Sequence, residues 1–511
     1  MLSSRRSPVG GAAASLSKQL WATYAQRAPA RTYATVVPSQ LQSGPTIDVT
    51  DKLPVHYSKD GKPKEKLVIL GSGWAGYTLL RAIDKEKYDT YLVSPNTYFA
   101  MTPLLASAAT GALEFRNVME PVRETFDTYF WHAYCDGIDF AQKKVHLTPA
   151  YPPPFRAVDP THHSHDAHES WKSQEEGRTY ALPYDKLVIA CGTYNRTFGT
   201  EGVKQNAWFL KDVQNSRAIR YRILECFEQA EHPDLTDEQR RNLLHFIVVG
   251  GGPTGAEFAA ALYDLIRKDI KRIFPKLQPL AKITIFDAAG GILNSFDESL
   301  QEYAKKQFLH DGIDLKLNRK PIRVERGKFI VEPDGEVPFG MLVWSTGNAQ
   351  GPLVNSIDEA KKDKSGALLT NGLLQVLAAG EGEATVEGKT VEGVYSLGDC
   401  AQIVDYSLPA TAQVASQKAK YLANLLNGKT KTSSTTGQLE PFRWKNMGSM
   451  TRLSSSTGIA QLKGGKLQGK PASALWHSTY GLYLTITWRT KIGVAVTWIL
   501  NALFGRSLSR M

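Results

Sequence analysis

The sequence is poor in cysteine and its ends lack long apolar runs. The four cysteines, Cys135, Cys191, Cys226 and Cys400, are widely separated and form no C-x-x-C pair. This spacing argues against a disulfide scaffold and a structural zinc site, and it is compatible with a reducing compartment. In the C-terminal region the uncharged run at residues 492–505 is short of the about 20 residues that cross a bilayer as a helix.

Acidic residues are missing from both ends, although the 511 residues carry a net charge of +11. Five basic residues precede Asp48 and ten follow Glu440, so residues 48–440 carry about −4. The positive excess therefore lies in two tails, which argues against a nucleic-acid-binding enzyme and for separate roles of the two ends. The length suffices for two to four domains, and the ordinary composition excludes disordered and fibrous classes.

The N-terminal segment has the composition of a mitochondrial transit peptide, because residues 1 to about 35 are rich in Arg, Ser and Ala and contain no acid. A secretory signal fits poorly, since the apolar core that it requires is missing. The run Arg31-Thr32-Tyr33-Ala34 resembles a matrix-protease cleavage site. We predict a transit peptide over 1–33 and a linker over 34–65; a disordered basic tail is the alternative.

Three glycines at G-x-G-x-x-G spacing, the first glycine motif (Gly71, Gly73, Gly76), follow a short apolar run and precede a helical pattern. Such a motif binds a dinucleotide: one glycine permits the turn, one admits the pyrophosphate and one lets the helix pack on the strand. The next predicted strand ends in Ser94, where an acid would bind ribose. Serine makes only part of that contact, so the motif alone leaves the ligand open. The loop that follows either caps the core or contacts the ligand.

The same construction recurs 179 residues later as the second glycine motif (Gly250, Gly252, Gly255), again between a predicted strand and a helix. Two copies in the right context make a dinucleotide-binding fold a strong prediction. Here the following strand ends in Asp287, 37 residues after Gly250. A carboxylate accepts hydrogen bonds from a ribose 2′-hydroxyl and repels a 2′-phosphate, so this site favours NADH over NADPH.

Three further strand ends carry glycine: Gly192, Gly347 and Gly398, the last followed by Asp399. An aspartate delivered through glycine suits a flavin site, although a helix cap would explain Asp399 equally well. Residues 150–178 contain four histidines, at 162, 163, 165 and 168. Their spacing is irregular, so we predict a solvated loop rather than a metal site.

The C-terminal tail carries aromatic and aliphatic residues at helical spacing between basic residues. This pattern is typical of helices that lie in a membrane interface. A helical hairpin packed on the body or on a second subunit is the alternative.

Taken in their order along the chain, these segments resemble the type II (alternative, non-proton-pumping) NADH dehydrogenases of mitochondrial and bacterial membranes. The resemblance covers about residues 66–511. The resemblance is carried by Gly-Ser-Gly-Trp-Ala-Gly at 71–76, Ser-Pro-x-x-Tyr-Phe-x-x-Thr-Pro-Leu-Leu at 94–105, Gly-Gly-Gly-Pro-Thr-Gly-Ala-Glu at 250–257, Trp-Ser-Thr-Gly at 344–347, Leu-Gly-Asp at 397–399, Ala-Gln-Val-Ala-Ser-Gln at 412–417 and Leu-Phe-Gly-Arg-Ser-Leu-Ser-Arg at 503–510. Asn96 and Ser416 depart from the family pattern, and Asp287 stands where Glu is commoner.

The resemblance implies an α/β flavoprotein with two Rossmann-like dinucleotide-binding domains and a C-terminal membrane-anchoring helical region. The implied domains are FAD-binding (66–205 and 350–440), NADH-binding (206–349) and membrane-anchoring (441–511). The residues it assigns to FAD are Gly71, Gly73, Trp74, Ala75, Gly76, Ser94, Thr102, Gly192, Gly398 and Asp399. Those it assigns to NADH are Gly250, Gly252, Pro253, Thr254, Gly255, Asp287 and Gly347. Gln413 and Gln417 are placed at a quinone pocket.

The implied reaction is the oxidation of NADH with two-electron reduction of ubiquinone at the mitochondrial inner membrane. The matrix side of this membrane is favoured, and a homodimer is expected by resemblance only. Glu257 would tune the flavin or pass protons, although a partner for the helix dipole is an equal alternative. The rivals are a disulfide reductase, a sulfide:quinone reductase and a flavin-bearing signalling protein. A disulfide reductase requires a redox cysteine pair soon after the first glycine motif, and the first cysteine there, Cys135, stands alone. A sulfide:quinone reductase requires paired redox cysteines near the flavin, for which Cys191 and Cys400 are candidates.

Overall fold

The computed structural model describes residues 46–124, 128–150, 179–380, 388–432 and 437–508. The predicted transit peptide, its cleavage site, the first part of the linker and the four histidines of the 150–178 segment lie outside the described residues.

The larger sheet has eleven strands and a parallel centre. In spatial order its strands are Thr46–Asp48, Thr179–Pro183, Lys144–Pro149, Tyr129–Asp139, Tyr88–Ser94, Glu65–Leu70, Lys186–Ile189, Thr390–Ser396, Gln375–Leu377, Leu368–Thr370 and Ala401–Ile403. The five strands from Tyr129–Asp139 to Thr390–Ser396 pair in parallel. Their apolar residues are buried on both faces, which explains the continuous apolar runs in the sequence.

Two distant parts of the chain share this sheet. Strand Lys186–Ile189 pairs in parallel with Thr390–Ser396, with Val188 opposite Tyr395. About 200 residues lie between them in the chain, and most of these form other structures before strands Leu368–Thr370 and Gln375–Leu377 return to this sheet. The carboxyl ends of the two strands are therefore neighbours, and the residues that follow them are brought together.

The second sheet has five parallel strands and is formed within the intervening segment. Its spatial order is Trp208–Phe209, Met341–Trp344, His245–Val249, Lys282–Phe286 and Asp314–Lys316. Two three-stranded antiparallel sheets, Lys320–Glu325/Lys328–Glu332/Gly335–Pro338 and Ser449–Arg452/Gly458–Leu462/Gly465–Gly469, and two pairs, Tyr98–Ala100/Met119–Pro121 and Thr193–Asn195/Asn348–Gln350, complete the described strands. The predicted α/β fold with two dinucleotide-binding units is confirmed.

The α-helices of the described residues are Trp74–Ala82, Leu105–Ala109, Val203–Asn206, Val213–Ala230, Asp237–Leu243, Pro253–Leu265, Lys271–Ile273, Glu298–His310, Pro352–Asn355, Ala412–Leu426, Lys470–Trp476 and Trp488–Phe504. Short 3₁₀ turns cover Thr50–Lys52, Thr102–Leu104, Phe115–Val118 and Gln278–Leu280, and π-helical turns cover Ile266–Ile270 and His477–Tyr483. The π turn Ile266–Ile270 extends the helix after the second glycine motif, which accounts for the long spacing to Asp287.

Helix Ala412–Leu426 packs against helix Trp74–Ala82, and polar contacts close the ends of the pair. Asn427 donates to the carbonyl of Ala82 (3.0 Å), and Tyr88 donates to the carbonyl of Leu426 (2.9 Å). These bonds satisfy carbonyls that a helix end leaves without an intrahelical partner. They fix the glutamine-bearing helix beside the first glycine motif.

The C-terminal helix Trp488–Phe504 lies on the body with one face and leaves the other exposed. Thr487 caps it, and Asn117 and Asn501 form hydrogen bonds that connect it to the loop at residues 112–117. Its exposed apolar residues are Trp488, Ile492, Val496, Ile499, Leu500, Leu503 and Phe504. No helix of the described ranges combines the length and the apolarity needed to traverse a bilayer.

Candidate nucleotide and quinone site

The first glycine motif is a close-packed turn with one open position. Gly71 has a φ of +109°, and a Cβ there would lie 2.4 Å from the carbonyl oxygen of Ala190. A Cβ at Gly76 would lie 1.9 Å from the carbonyl oxygen of Gly71, so this helix can approach its strand only with glycine. A Cβ at Gly73 would meet no protein atom within 4 Å. The open position fits backbone contact with a pyrophosphate at a helix N-terminus.

Ser94 supports the glycine turn from within. Its hydroxyl is hydrogen-bonded to the Ser72 hydroxyl (2.9 Å) and accepts from the Asn96 N–H (3.1 Å). Ser72 in turn donates to the carbonyl of Tyr98 (3.0 Å). The side chain that was assigned to the ribose is thus buried in a network that shapes the loop.

The aromatic loop after Ser94 both fills the core and holds the motif. Phe99 is buried and stacks on Tyr77 at 4.8 Å between ring centroids, and Trp74 meets it edge-on at 5.0 Å. Trp74 also donates from Nε1 to the Thr102 hydroxyl (2.8 Å). Trp74 and Thr102, both assigned to FAD by resemblance, are therefore joined beside the first turn of the helix.

Gly398 and Asp399 reach the same place from strand Thr390–Ser396, which lies two strands away from Glu65–Leu70 in the sheet. A Cβ at Gly398 would lie 3.3 Å from the Cβ of Ala75, so the turn packs on the first helix. Asp399 leads into strand Ala401–Ile403 rather than a helix, which excludes the helix-cap alternative.

Two lysines face Asp399, and the sequence did not predict either. Burial raises the pKa of Asp399, and the charges of Lys211 and Lys418 oppose that rise. Lys418 is buried, donates to the carbonyl of Ala401 (3.2 Å), and has a pKa lowered to about 8 by burial. Burial also lowers the pKa of Lys211, which donates to Thr193 (3.3 Å).

The second glycine motif repeats the geometry of the first. Gly250 has a φ of +111°, and a Cβ at Gly255 would lie 2.0 Å from the carbonyl oxygen of Gly250. A Cβ at Gly252 would again meet nothing within 4 Å. The helix begins at Pro253, whose missing N–H costs nothing at this position, and Thr254 beside it is exposed.

Asp287 holds this second loop as Ser94 holds the first. Its carboxylate accepts hydrogen bonds from the N–H of Gly251 (2.5 Å) and from the N–H of Ala289 (2.7 Å). Gly251 and Ser72 occupy the same place in their motifs. The residue at the end of the following strand thus supports the glycine turn in both motifs. In the second motif a carboxylate accepts from backbone N–H groups, and in the first two serine hydroxyls are hydrogen-bonded to each other.

The other two glycines differ in what surrounds them. Gly192 has a φ of +67° and open space at its Cβ position. Gly347 has a φ of +74°, and a Cβ there would lie 2.7 Å from the ring of Phe198. Gly347 is therefore covered by protein, whereas Gly192 is open.

Glu257 is the most perturbed carboxyl of this region. Its Oε1 accepts from the backbone N–H of Arg452 (3.2 Å) and from Nε1 of Trp476 (2.9 Å). Burial raises its pKa to about 7, although Arg452, Thr451 and Trp476 each favour the charged form. A carboxyl with such a pKa exchanges protons near neutral pH. The partners from the C-terminal region had no counterpart in the sequence prediction.

Gln413 and Gln417 bind the segment 444–448. Gln413 accepts from Trp444 Nε1 (3.1 Å) and from the Met447 N–H (3.0 Å), and it donates to the carbonyl of Gly448 (3.2 Å). Gln417 pairs with both backbone groups of Lys445 (3.0 and 2.9 Å). Strand Ser449–Arg452 begins directly afterwards, so it runs from Gln413 to Glu257. The two glutamines thereby hold the segment that leads into this strand, whose last residue, Arg452, donates to Glu257.

Cys191 and Cys400 come together although 208 residues separate them. Both are free thiols, and a hydrogen bond from the Cys191 thiol raises the pKa of Cys191 and lowers the pKa of Cys400. The Cys400 sulfur also lies 3.6 Å from the carbonyl oxygen of Ile189. They meet because each follows one of the two central strands that pair in parallel.

The family described as "Pyridine nucleotide-disulphide oxidoreductase" matches residues 65–419. The class defined by fold and site is therefore an oxidoreductase with two nucleotide-binding units. The chain is 36% identical over 463 residues to a "Probable NADH dehydrogenase" of Dictyostelium discoideum, covering 90% of this chain and 94% of the relative. It is 35% identical to the "Internal alternative NAD(P)H-ubiquinone oxidoreductase A1, mitochondrial" of Solanum tuberosum, covering 88% of each.

Among solved structures, NDH2 from Plasmodium falciparum in complex with NADH aligns with a TM-score of 0.75 at 23% identity. It covers 87% of this chain and 100% of the other, and this likeness supports the fold. The chain belongs to the alternative, type II, NADH dehydrogenase family, as its motifs predicted.

Proposed function

We propose the following assignment of the site to the reaction. The chain is an FAD-dependent NADH:ubiquinone oxidoreductase of mitochondria that does not pump protons. The observation that supports our assignment is the geometry of the two glycine motifs. In each motif a Cβ added at the first or third glycine would lie less than 3 Å from a protein atom, whereas a Cβ at the second glycine would meet none within 4 Å. The first would hold FAD and the second NADH.

Bound FAD supplies the hydride-accepting and electron-transferring chemistry. The chain's own residues would bind and orient the two nucleotides: Gly73 would admit the FAD pyrophosphate, Asp399 would hold the ribityl chain, and Gly252 would admit the pyrophosphate of NADH. Asp287 favours NADH, because a 2′-phosphate beside its carboxylate would be repelled. Glu257 holds a proton near neutral pH and would deliver it during quinone reduction.

The role of Glu257 is tested by Glu257→Gln, which keeps the shape and the acceptor oxygen but removes the ionisable group. We expect slower turnover with quinone at an unchanged FAD content. Equal rates in the variant and the wild type would exclude a role in proton delivery.

We further propose that the exposed face of helix Trp488–Phe504 binds the inner membrane from the matrix side. Support comes from its apolar residues and from Arg489 and Lys491 at its start, because such a face with basic flanks suits an interfacial helix. The predicted transit peptide and the internal relative from Solanum tuberosum support the matrix side. Resistance to protease in mitoplasts would agree with it, and digestion there would contradict it.

Leu503→Asp, on this face and 70% exposed, should weaken binding to anionic vesicles without changing NADH oxidation by a soluble acceptor. Leu309→Asp, 53% exposed on helix Glu298–His310, is the matched control. A homodimer through the C-terminal region is proposed from resemblance and is tested by sedimentation in detergent.

The experiment that tests the whole assignment is stopped-flow absorbance of the purified holoenzyme in the flavin band. We expect rapid bleaching by NADH, little bleaching by NADPH, and recovery when a short-chain ubiquinone is added. Bleaching without recovery would refute quinone reduction and favour a thiol-linked or signalling role. Equal bleaching by NADPH would refute the role of Asp287.

A further inference from the structure

Glu257 lies at the junction between the second glycine motif and the C-terminal region. It lies in the first turns of helix Pro253–Leu265, whose N-terminus is the proposed NADH site. Both donors to its Oε1, the Arg452 N–H and Trp476 Nε1, come from beyond residue 440. The carboxyl is thus held by a part of the chain that contributes no residue to either glycine motif.

Two donors on one oxygen decide which oxygen carries the proton. An oxygen that accepts two N–H bonds is disfavoured as a protonation site, because protonation would place donor against donor. In the neutral form the proton of the Glu257 carboxyl therefore resides on Oε2. Oε1 then holds the hydrogen bonds from Arg452 and Trp476, and Oε2 is left for proton transfer.

Arg452 fixes the tryptophan as well as the carboxyl. Its guanidinium carbon lies 5.2 Å from the Trp476 ring centroid, a cation–π contact, and both side chains are buried. Within the described ranges, the buried Nε of Arg452 has no hydrogen-bond partner. The charge of Arg452 acts on the Glu257 carboxyl and favours its charged form.

Other groups also face Glu257. The hydroxyl of Thr451 favours its charged form, and Tyr480, whose pKa burial raises to about 12, lies close enough to interact with its charge. Trp476 meets Tyr480 edge-on at 5.5 Å. Trp476 is thus held between a cation and a ring, with its N–H directed at the carboxyl.

We infer that Trp476 and Arg452 are positioning residues of the C-terminal region, which orient the Glu257 carboxyl so that Oε2 transfers its proton to a quinone oxygen. This inference rests on the proposed function of Glu257. In the step the O–H bond of the carboxyl breaks and a quinone O–H bond forms. The carboxylate then regains a proton from water, and the hydride of NADH supplies, by way of the flavin, the two electrons and the second proton of the quinol.

The sign of the expected effect follows from the contacts. Arg452 and the Trp476 N–H both stabilise the carboxylate, so removal of either raises the pKa of Glu257 above about 7. If the neutral carboxyl is the proton donor, turnover falls as pH rises through this pKa. The alkaline limb of the pH profile therefore moves to higher pH in Trp476→Phe and Arg452→Met.

The test measures titration and turnover on holoenzyme. Infrared difference spectra of ¹³C-glutamate-labelled protein identify the Glu257 carbonyl band as the one absent from Glu257→Gln. We expect its midpoint to rise by about one pH unit in Trp476→Phe and in Arg452→Met. Arg452→Lys, which keeps the charge, restores the midpoint, and the matched controls Trp131→Phe and Arg326→Met leave it unchanged.

Unchanged midpoints in folded Trp476→Phe and Arg452→Met, with wild-type FAD content, would overturn the inference. A moved midpoint with an unmoved alkaline limb would overturn it too, because the carboxyl would then not limit quinone reduction. If Arg452→Met does not fold, the inference is tested by the Glu257 midpoints of Trp476→Phe and Arg452→Lys. If quinone fails to reoxidise the reduced flavin of the wild-type enzyme, the proposed function is refuted instead. This outcome is independent of the midpoint measured by infrared spectroscopy.

Discussion

The two glycine motifs make a prediction that separates packing from ligand binding at neighbouring positions. An alanine at 76 would place its Cβ 1.9 Å from the carbonyl oxygen of Gly71. Real contacts of a Cβ stay above about 3.0 Å, so the helix must retreat by about 1 Å. Backbone cannot turn aside as a flexible side chain can, and overpacking of this kind costs about 1–3 kcal/mol. Gly76→Ala should therefore destabilise the apoprotein itself.

An alanine at 73 has the opposite profile, because its Cβ meets no protein atom within 4 Å. The apoprotein should unfold at the wild-type temperature. The methyl group occupies the space of the proposed FAD pyrophosphate, and a comparable steric cost there lowers affinity about 10- to 100-fold. Gly255→Ala and Gly252→Ala repeat the contrast at the second motif, with FAD retained in Gly252→Ala and the KM for NADH raised.

The assay is thermal unfolding of flavin-free protein, followed by flavin content and NADH titration after reconstitution. The reasoning is refuted if Gly73→Ala lowers the apoprotein midpoint as much as Gly76→Ala does. It is refuted equally if Gly73→Ala binds FAD normally, because the open position would then not face the cofactor.

Three further changes test other parts of the site. Lys418 has a folded pKa of about 8 against an ordinary 10.5; the unfolded state binds more protons between these values, so stability rises with pH there. Lys418→Met should remove that rise, seen as a flat unfolding midpoint above pH 8 in place of the wild-type slope. Cys191→Ser/Cys400→Ser should keep NADH:ubiquinone turnover, because the proposed reaction uses no thiol; loss of turnover with intact FAD would revive a thiol mechanism. Arg506→Met leaves Asp269, its buried partner at 3.3 Å, unpaired, and should cost about 3–5 kcal/mol in denaturant unfolding. The double change Asp269→Leu/Arg506→Met should recover most of it; if it does not, the loss comes from packing.

Much of the fold was predictable because its determinants are local. Strand Tyr88–Ser94 ends at the predicted residue, and each glycine motif lies between a strand and a helix as predicted. A buried parallel strand is a continuous apolar run wherever it occurs, and a glycine at positive φ is needed wherever the turn is. The type II family and the flavin and NADH chemistry followed from the order of these segments, and the mitochondrial assignment followed from the composition of the N-terminal segment. The relatives support all three.

The surroundings of the predicted site residues were not predictable. Ser94 supports Ser72 rather than facing outwards, and Gln413 and Gln417 are engaged with the segment 444–448. Each of these partners depends on the side-chain orientation in a loop. Loop conformation follows from contacts with distant residues, which no local pattern records.

By itself the sequence determined the two nucleotide-binding units, the acid at the end of the strand that follows the second glycine motif and the amphipathic C-terminal helix, because each depends on residues close together in the chain. Only the tertiary structure decided what surrounds the reactive groups. The charge of Lys418 opposes the rise in the pKa of Asp399, and Trp476 and Arg452 donate hydrogen bonds to Glu257. These groups are unlike in type and far apart in the chain. They interact because parallel pairing and the return of the C-terminal region bring them close together.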